Sequence, residues 1–297
     1  MMHRLVRIVF GFLVLILFPV AACRPSHSRR IVVGSKNFTE QVVLAELLAQ
    51  HIEARLHVPV DRRFYLAGSY IAHQSLISGR IDLYPEDTGT ALTAVLKKPI
   101  QSDPSAVYKL VKEEYEKRFH LAVTQPLGFN NTFAMVMRGD EARRLHLSTL
   151  LQAKQYAPQW RLGCGYEFSE RLDGLQGLIK IYDLHFAGPP RIMDLGLLYR
   201  ALQEKQVDLI AANATDGLIA SLDLTILQDD RHYFPPYEAI PIVRDETLQR
   251  FPGLLAALDE LHSQISDAEM REMNYAVDGQ HRDVPEVVAE FRKRKGL

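Results

Sequence analysis

Residues 82–92 read DLYPEDTGTAL, and residues 205–217 read KQVDLIAANATDG. Laid over one another, Asp82 and Leu83 fall on Asp208 and Leu209, and Asp87 falls on Asn213. In each stretch a β-like run leads to a polar residue and continues into Thr and Gly that can open a helix. Helix-like text precedes both, at residues 74–78 and 197–202. The match predicts two similar α/β units, each presenting a polar residue at the carboxyl end of a strand. Open α/β sheets bind ligands at that edge. The first of these strands is expected to stop at Tyr84, because Pro85 brings no amide to a ladder.

Strand and helix patterns alternate outward from these two stretches. A strand at 31–33 breaks at Gly34-Ser35. Asn37, with Glu40 three residues on, has the spacing of a helix start. Val43, Leu44, Leu47, Leu48, Ile52 and Leu56 then keep a helical period to about His57. Further strands are expected near 58–65, 81–84, 121–125, 132–138, 160–164, 207–212 and 237–243. Helices are expected near 69–78, 88–96, 104–118, 141–152, 169–182, 195–205 and 215–221. This alternation predicts parallel sheets covered by helices. Beyond Val243 the text is helical, with Ser266-Asp-Ala-Glu as a cap and Pro285 at a helix start. Those last helices need a sheet to pack on, and the first unit is the natural one.

The chain has 297 residues, 47% of them hydrophobic, enough for one large or two ordinary domains. Its 35 basic and 36 acidic residues nearly cancel, and no basic run suggests a nucleic-acid partner. Residues 1–22 read as a secretory signal: Arg4 and Arg7 precede an apolar run too short to span a bilayer. The end of that signal, Val20-Ala21-Ala22-Cys23, resembles the bacterial lipobox. That makes Cys23 a lipidation site and 23–30 a polar tether. The expected location is outside the cytoplasm, periplasmic or at the cell surface, anchored to membrane by the lipid. Cys164 then stands alone, so no internal disulfide is expected. It is either a reactive thiol or a buried small hydrophobe, and its place in WRLGCGYEF (160–168) favours burial.

No Gly-rich phosphate loop, HExxH pair, CxxC or nucleophile elbow is present, and no cofactor is expected. The eleven histidines show no i, i+4 pair suited to a metal, so no metal site is expected either. Glu86 and Asp87 could suggest acid/base chemistry, but neighbours on an extended chain point to opposite sides. Such chemistry needs two carboxylates facing each other about 5–9 Å apart across a bond. No catalytic residues are assigned.

Six ordered motifs do point to a family: GSKNFTEQ (34–41), GRIDLYPEDTGTAL (79–92), GFNNTFAM (128–135), EFSERLDGL (167–175), ANATDGLI (212–219) and FPPYEAIPIVR (234–244). Together they resemble substrate-binding proteins of osmoprotectant ABC importers, the glycine betaine/carnitine/choline class, over roughly residues 31–295. The resemblance implies a two-lobed type II periplasmic-binding fold, with 31–128 plus 236–297 as the first lobe and 129–235 as the second. It also implies a small zwitterionic ligand in the cleft, and as partners an ABC permease with its ATPase. Lys36, Thr90 and Arg171 match the family's holders of the ligand carboxylate. A desolvated carboxylate needs charge-assisted donors of that kind.

The other half of the site departs from the family. Four aromatic rings usually box the methylated ammonium by cation–π contact. The corresponding positions here are Asp87, Phe133, Asn213 and Tyr237, so two rings remain and two have become polar. Either Asp87 and Asn213 take a cation that carries N–H donors, or Tyr84, Tyr166 or Tyr233 completes a cage. A membrane-tethered sensor with the same fold, or an α/β enzyme using cleft carboxylates, are the alternative functions.

Overall fold

The computed structural model describes residues 30–297; the expected signal, Cys23 and the tether up to residue 29 lie outside the described residues. Ten strands form among them: β1 (Ile31–Gly34), β2 (Val60–Arg63), β3 (Leu83–Asp87), β4 (Leu121–Val123), β5 (Phe133–Arg138), β6 (Leu162–Cys164), β7 (Arg191–Ile192), β8 (Leu209–Asn213), β9 (Leu224–Leu227) and β10 (Ala239–Arg244). They make two sheets, ordered β2-β1-β3-β10-β4 and β7-β6-β8-β5-β9. Each sheet is the frame of one lobe, with helices on both faces.

The two matched stretches hold the same place in the two sheets. β3 and β8 are both central, and Asp87 and Asn213 are their last residues. Asp82 accepts the Val32 amide at 2.8 Å and returns its own amide to the Val32 carbonyl at 2.7 Å. Asp208 does the same with Arg161, at 2.9 and 2.8 Å. An arginine ending the adjacent strand completes each copy. Arg244 donates to the Leu76 carbonyl and Arg138 to the Leu202 carbonyl, each at the end of the helix before β3 or β8. The repeat therefore rests on equivalent ties, not on sequence coincidence.

The sheets are mixed rather than parallel throughout. β10 runs antiparallel to β3 and β4, and β5 runs antiparallel to β8 and β9. Both enter their sheet from a crossover between lobes, with no βαβ helix ahead of them to impose parallel entry. The crossovers, 124–132 and 228–238, touch one another. Asn130 bridges Glu238, the Asn131 amide donates to the Tyr237 carbonyl at 3.0 Å, and the Tyr237 amide donates to Asn130 Oδ1 at 2.6 Å.

β3 does not stop at Tyr84 but runs through Pro85 to Asp87. Pro85 lies opposite Pro241, a pair in which neither residue has an amide to offer, and β1 meets β3 only at Val33–Leu83. The proline thus interrupts no ladder bond.

Both faces of the first sheet carry apolar cores. On one face the helix Thr39–Leu56 packs with the C-terminal helices Leu254–Asp259, Asp267–Asp278 and Val284–Lys295. Leu44, Leu48, Met270 and Phe291 are essentially fully buried there. Burial of each such side chain contributes about 1.5–3 kcal/mol. Ser266 and Glu269 form the expected capping box. In the other lobe, Cys164 is buried and free, and burial pushes its thiol up to about 11. The reactive-thiol reading finds no support in that setting.

Several helices differ from expectation. Residues 141–152 give two helices, Gly139–Leu145 and Leu150–Ala153. Residues 169–182 divide into Tyr166–Glu170 and Leu175–Tyr182, leaving Arg171 to Gly174 as a break. Residues 88–96 open as one α-turn, then widen into a π-turn at Ala91–Val95, a feature common beside functional sites. Asn37 is not the cap of the first helix; Phe38 is, and it offers no side-chain acceptor.

Candidate ligand cavity between the lobes

Lys36, Asp87, Thr90, Phe133, Arg171, Asn213 and Tyr237 all line one cavity of about 960 Å³ between the lobes. Lys36 follows β1 by two residues, Asp87 ends β3, and Thr90 lies in the turn after it. On the far side, Phe133 opens β5 and pairs in register with Asn213 at the end of β8. Arg171 sits at the break between two short helices, and Tyr237 comes from the return crossover. Strand ends of both sheets thus converge on one space.

Lys36 is buried, and its Nζ lies 2.5 Å from Glu86 Oε1 and 2.8 Å from Asp87 Oδ2. Burial alone would lower the ammonium pKa, but the carboxylates of Asp87 and Glu86 outweigh it and hold Lys36 charged. Burial also pushes the Glu86 carboxyl up, opposed by Lys36. The two neighbouring carboxylates were expected on opposite faces, yet they converge on one ammonium. Glu86 bends back to accept its neighbour's amide at 2.9 Å, which turns its Oε1 toward Lys36. One cation therefore faces two anions. Asp87 Oδ1, also buried, accepts no hydrogen bond among the described residues.

Arg171 is paired too. Its Nε and Nη2 hold Asp173 at 2.9 and 2.6 Å, while Nη1 is 3.5 Å from Glu167 Oε2. Burial would raise the Asp173 carboxyl, but Arg171 outweighs it and holds Asp173 below the usual range. The guanidinium lies 5.0 Å from the Phe133 ring centroid and 5.7 Å from that of Tyr237. The two rings left from the expected cage are thus already in contact with a protein cation.

Of the three tyrosines that could complete a cage, only Tyr166 lines the cavity. Tyr84 is buried and donates to Glu86, and Tyr233 donates to the Leu172 and Gly174 carbonyls. Rings that the sequence did not single out, Phe38, Tyr65, Tyr70, Phe168 and Tyr199, also line the cavity. Phe38 and Phe168 fall within the quoted motifs but at none of the four cage positions, Tyr65, Tyr70 and Tyr199 lie outside the motifs, and no spacing pattern marks any of them. Tyr65 and Ala67 on this wall have left-handed backbones, with φ of 66° and 70°. For side-chain-bearing residues this stores about 1–2 kcal/mol each. The charged lining is acid-rich: Lys36, Lys97 and Arg171 against Asp87, Glu167, Glu170, Asp194, Asp216 and Asp278. Such a wall favours a ligand with a cationic end.

Glu40, which the sequence suggests only as part of a helix start, is buried behind this wall. It accepts from Asn131 at 2.7 Å, Asn274 at 3.1 Å and Thr215, so one carboxylate joins the first helix, a crossover, the last-but-one helix and the loop after β8. Burial, then the charge of Asp87, pushes Glu40 up to about 8.

Two α/β lobes joined by two crossovers, with strand ends turned toward a shared cavity, define a solute-binding protein of the type II periplasmic-binding fold. The chain belongs to the family described as the substrate binding domain of ABC-type glycine betaine transport systems, whose model matches residues 29–294. It is 33% identical over 272 residues to an ergothioneine transport permease/ergothioneine binding protein of Helicobacter pylori, covering 91% of this chain. The chain spans about half of that relative's length, 48%. It is 33% identical over 276 residues to a glycine-betaine-binding protein of Pseudomonas aeruginosa, covering 89% of this chain and 88% of that protein. Among solved structures, a glycine betaine/carnitine/choline ABC transporter protein superposes with a TM-score of 0.75 at 30% identity, over 90% of this chain and 98% of the other. The family and these relatives are described as transport binding proteins.

Proposed function

We propose that this chain is the extracytoplasmic solute-binding lipoprotein of an ABC importer, and that its cavity takes a small zwitterion whose cationic end bears N–H donors. The observation that carries the ligand reading is the unpartnered, buried Oδ1 of Asp87, a residue that lines the cavity. A desolvated carboxylate oxygen without a donor costs a few kcal/mol, which a primary or secondary ammonium or a guanidinium relieves. A trimethylammonium group has no N–H and offers only charge.

In this reading Asp87 and Asn213 receive the cation. Lys36 has three N–H groups and spends two on Glu86 and Asp87. Its third, with Thr90 and the loosely held Arg171 Nη1, receives the acid end. Phe133 and Tyr237 support the Arg171 guanidinium. The lobes are 31–128 with 236–297, and 129–235, so the acid end bridges them. Closure on the ligand follows from contacts available only when the lobes meet.

The expected partners are a permease and its ATPase. The name of the Helicobacter relative joins permease and binding protein, which supports that pairing. Cys23 would hold the protein at the membrane, so Cys23→Ser should move it to the aqueous phase in detergent partitioning. Equal partitioning of both forms would remove the lipid anchor from this account.

One observation favours the family's fully methylated ligands instead: the additional rings Phe38, Tyr65, Tyr70, Tyr166 and Phe168 along the cavity. Titration calorimetry against betaines, amino acids and guanidino acids separates the readings. Amino-acid-like zwitterions should bind tighter than glycine betaine, with choline and plain polyamines weakest.

A further inference from the structure

The helix Ser69–Ile77 on the first lobe starts at the cavity and has no side-chain cap of its own, its cap residue being Gly68. A carboxylate from the opposite lobe does that work. Glu167 Oε1 accepts the Ser69 amide at 2.6 Å, and Oε2 accepts the Ser69 hydroxyl at 3.0 Å. The first turn of a helix leaves amides unsatisfied and carries partial positive charge, so an anionic acceptor is well matched to it. Gly68 makes room for this contact. Its backbone is extended, at φ −79° and ψ −175°, and imposes no need for glycine. A methyl group there would instead lie 2.2 Å from Glu167 Oε1 and displace the carboxylate.

A second cross-cleft contact lies beside it. Asp173 Oδ2, from the second lobe, accepts the Thr93 hydroxyl of the first lobe at 2.8 Å. Arg171 stands between the two carboxylates, holding Asp173 with Nε and Nη2 and reaching to 3.5 Å from Glu167 with Nη1. One guanidinium therefore orients both anions that join the lobes.

We propose that Glu167 is a closure latch: it caps the Ser69 helix only when the lobes are together, Gly68 admits it, and Arg171 aims it. The latch is made of protein groups alone, so it sets the open–closed balance whatever the ligand is. Gly68→Ala blocks the latch from the first lobe and leaves Arg171 untouched; Glu167→Ala removes it from the second.

Amide hydrogen exchange on the full chain in detergent, without added ligand, tests this apart from any reading of the ligand. Both variants should speed exchange about tenfold at residues 69–72 and also at cavity-wall amides away from the contact, at 87–90 and 213–216, because the lobes part. Glu167→Gln, which keeps one acceptor but no charge, should fall between. Melting curves like wild type show that the fold persists. Faster exchange confined to 69–72 would reduce Glu167 to a local cap and overturn the latch. Wild-type exchange throughout would overturn it as well.

Discussion

Lys36 is a cation that the protein has already answered, and that changes what removing it does. Its ammonium is the direct basic partner of Glu86 and Asp87, both buried. Taking away one partner of a buried ion pair leaves uncompensated charge and costs about 3–5 kcal/mol. Lys36→Met should therefore destabilise the protein by that order in urea unfolding, before any effect on ligand is considered. The loss should be larger at pH 8 than at pH 5, because protonation of the abandoned Glu86 carboxyl, which burial already pushes up, relieves the repulsion. An unfolding midpoint unchanged from wild type would mean that Lys36 does not hold these carboxylates. Glu40 has the opposite logic, with a folded-state value near 8 against an ordinary 4.5. A carboxyl raised on folding contributes stability that is complete below about pH 4.5 and is lost as pH rises through about 8. The slope can reach about 1.4 kcal/mol per pH unit. Glu40→Gln mimics the protonated form, so its melting temperature should fall less than that of wild type between pH 5 and 8. Parallel curves would place the pH dependence elsewhere, with Asp216, which burial pushes up to about 6, the next group to test.

The elements that could be read from sequence are those whose pattern is local. β3 and β8 were legible because Asp-Leu at 82–83 recurs at 208–209, each followed five residues after the aspartate by a polar strand end, and both aspartates tie to the segment of the neighbouring strand. The capping box at Ser266 and the proline start of Val284–Lys295 are likewise written within a few residues. β7 was not legible, since two exposed residues have no periodicity to show. β9 was also missed; Leu224–Leu227 is only four residues, of mixed exposure. The split of 169–182 escaped because its apolar period runs on, whereas the break is held by one local ion pair and by contacts distant in sequence. Arg171 pairs with Asp173 inside the break, and Asp173 accepts from Thr93 and Tyr237. The seven site residues were legible because each sits in one of the family's motifs. Their pairings were not, since Lys36 reaches Glu86 and Asp87 across 50 and 51 residues, and Glu167 reaches Ser69 across 98. A one-dimensional pattern can place a charge at a strand end but not name its partner. For the same reason Arg171 was assigned only to a ligand, while the structure gives it two carboxylates of the protein as well.

Across the whole molecule, the two lobes are copies of one design turned toward each other. Each brings a central strand ending in a polar residue, Asp87 or Asn213, to the cavity. Two crossovers bonded to one another join the lobes, and in the closure proposed above they are the segments that would bend, leaving the two cores intact. Arg171→Ala should then act twice, by removing a donor to the ligand's acid end and by releasing Asp173 and Glu167 across the cleft. Loss of a single charge-assisted contact costs about 1.5–3 kcal/mol. The variant should thus lose more than about a hundredfold in affinity for whichever zwitterion binds wild type. The central claim, that Asp87 selects a cation bearing N–H donors, is tested most directly by a methylation series. Calorimetry with glycine, N-methylglycine, N,N-dimethylglycine and glycine betaine removes one N–H at each step while keeping both charges. Affinity should drop at the last step by about tenfold to a hundredfold in wild type, the worth of one charge-assisted hydrogen bond, and the drop should vanish in Asp87→Ala. Glycine betaine binding tightest of the series, with Asp87→Ala leaving its affinity unchanged, would contradict the account.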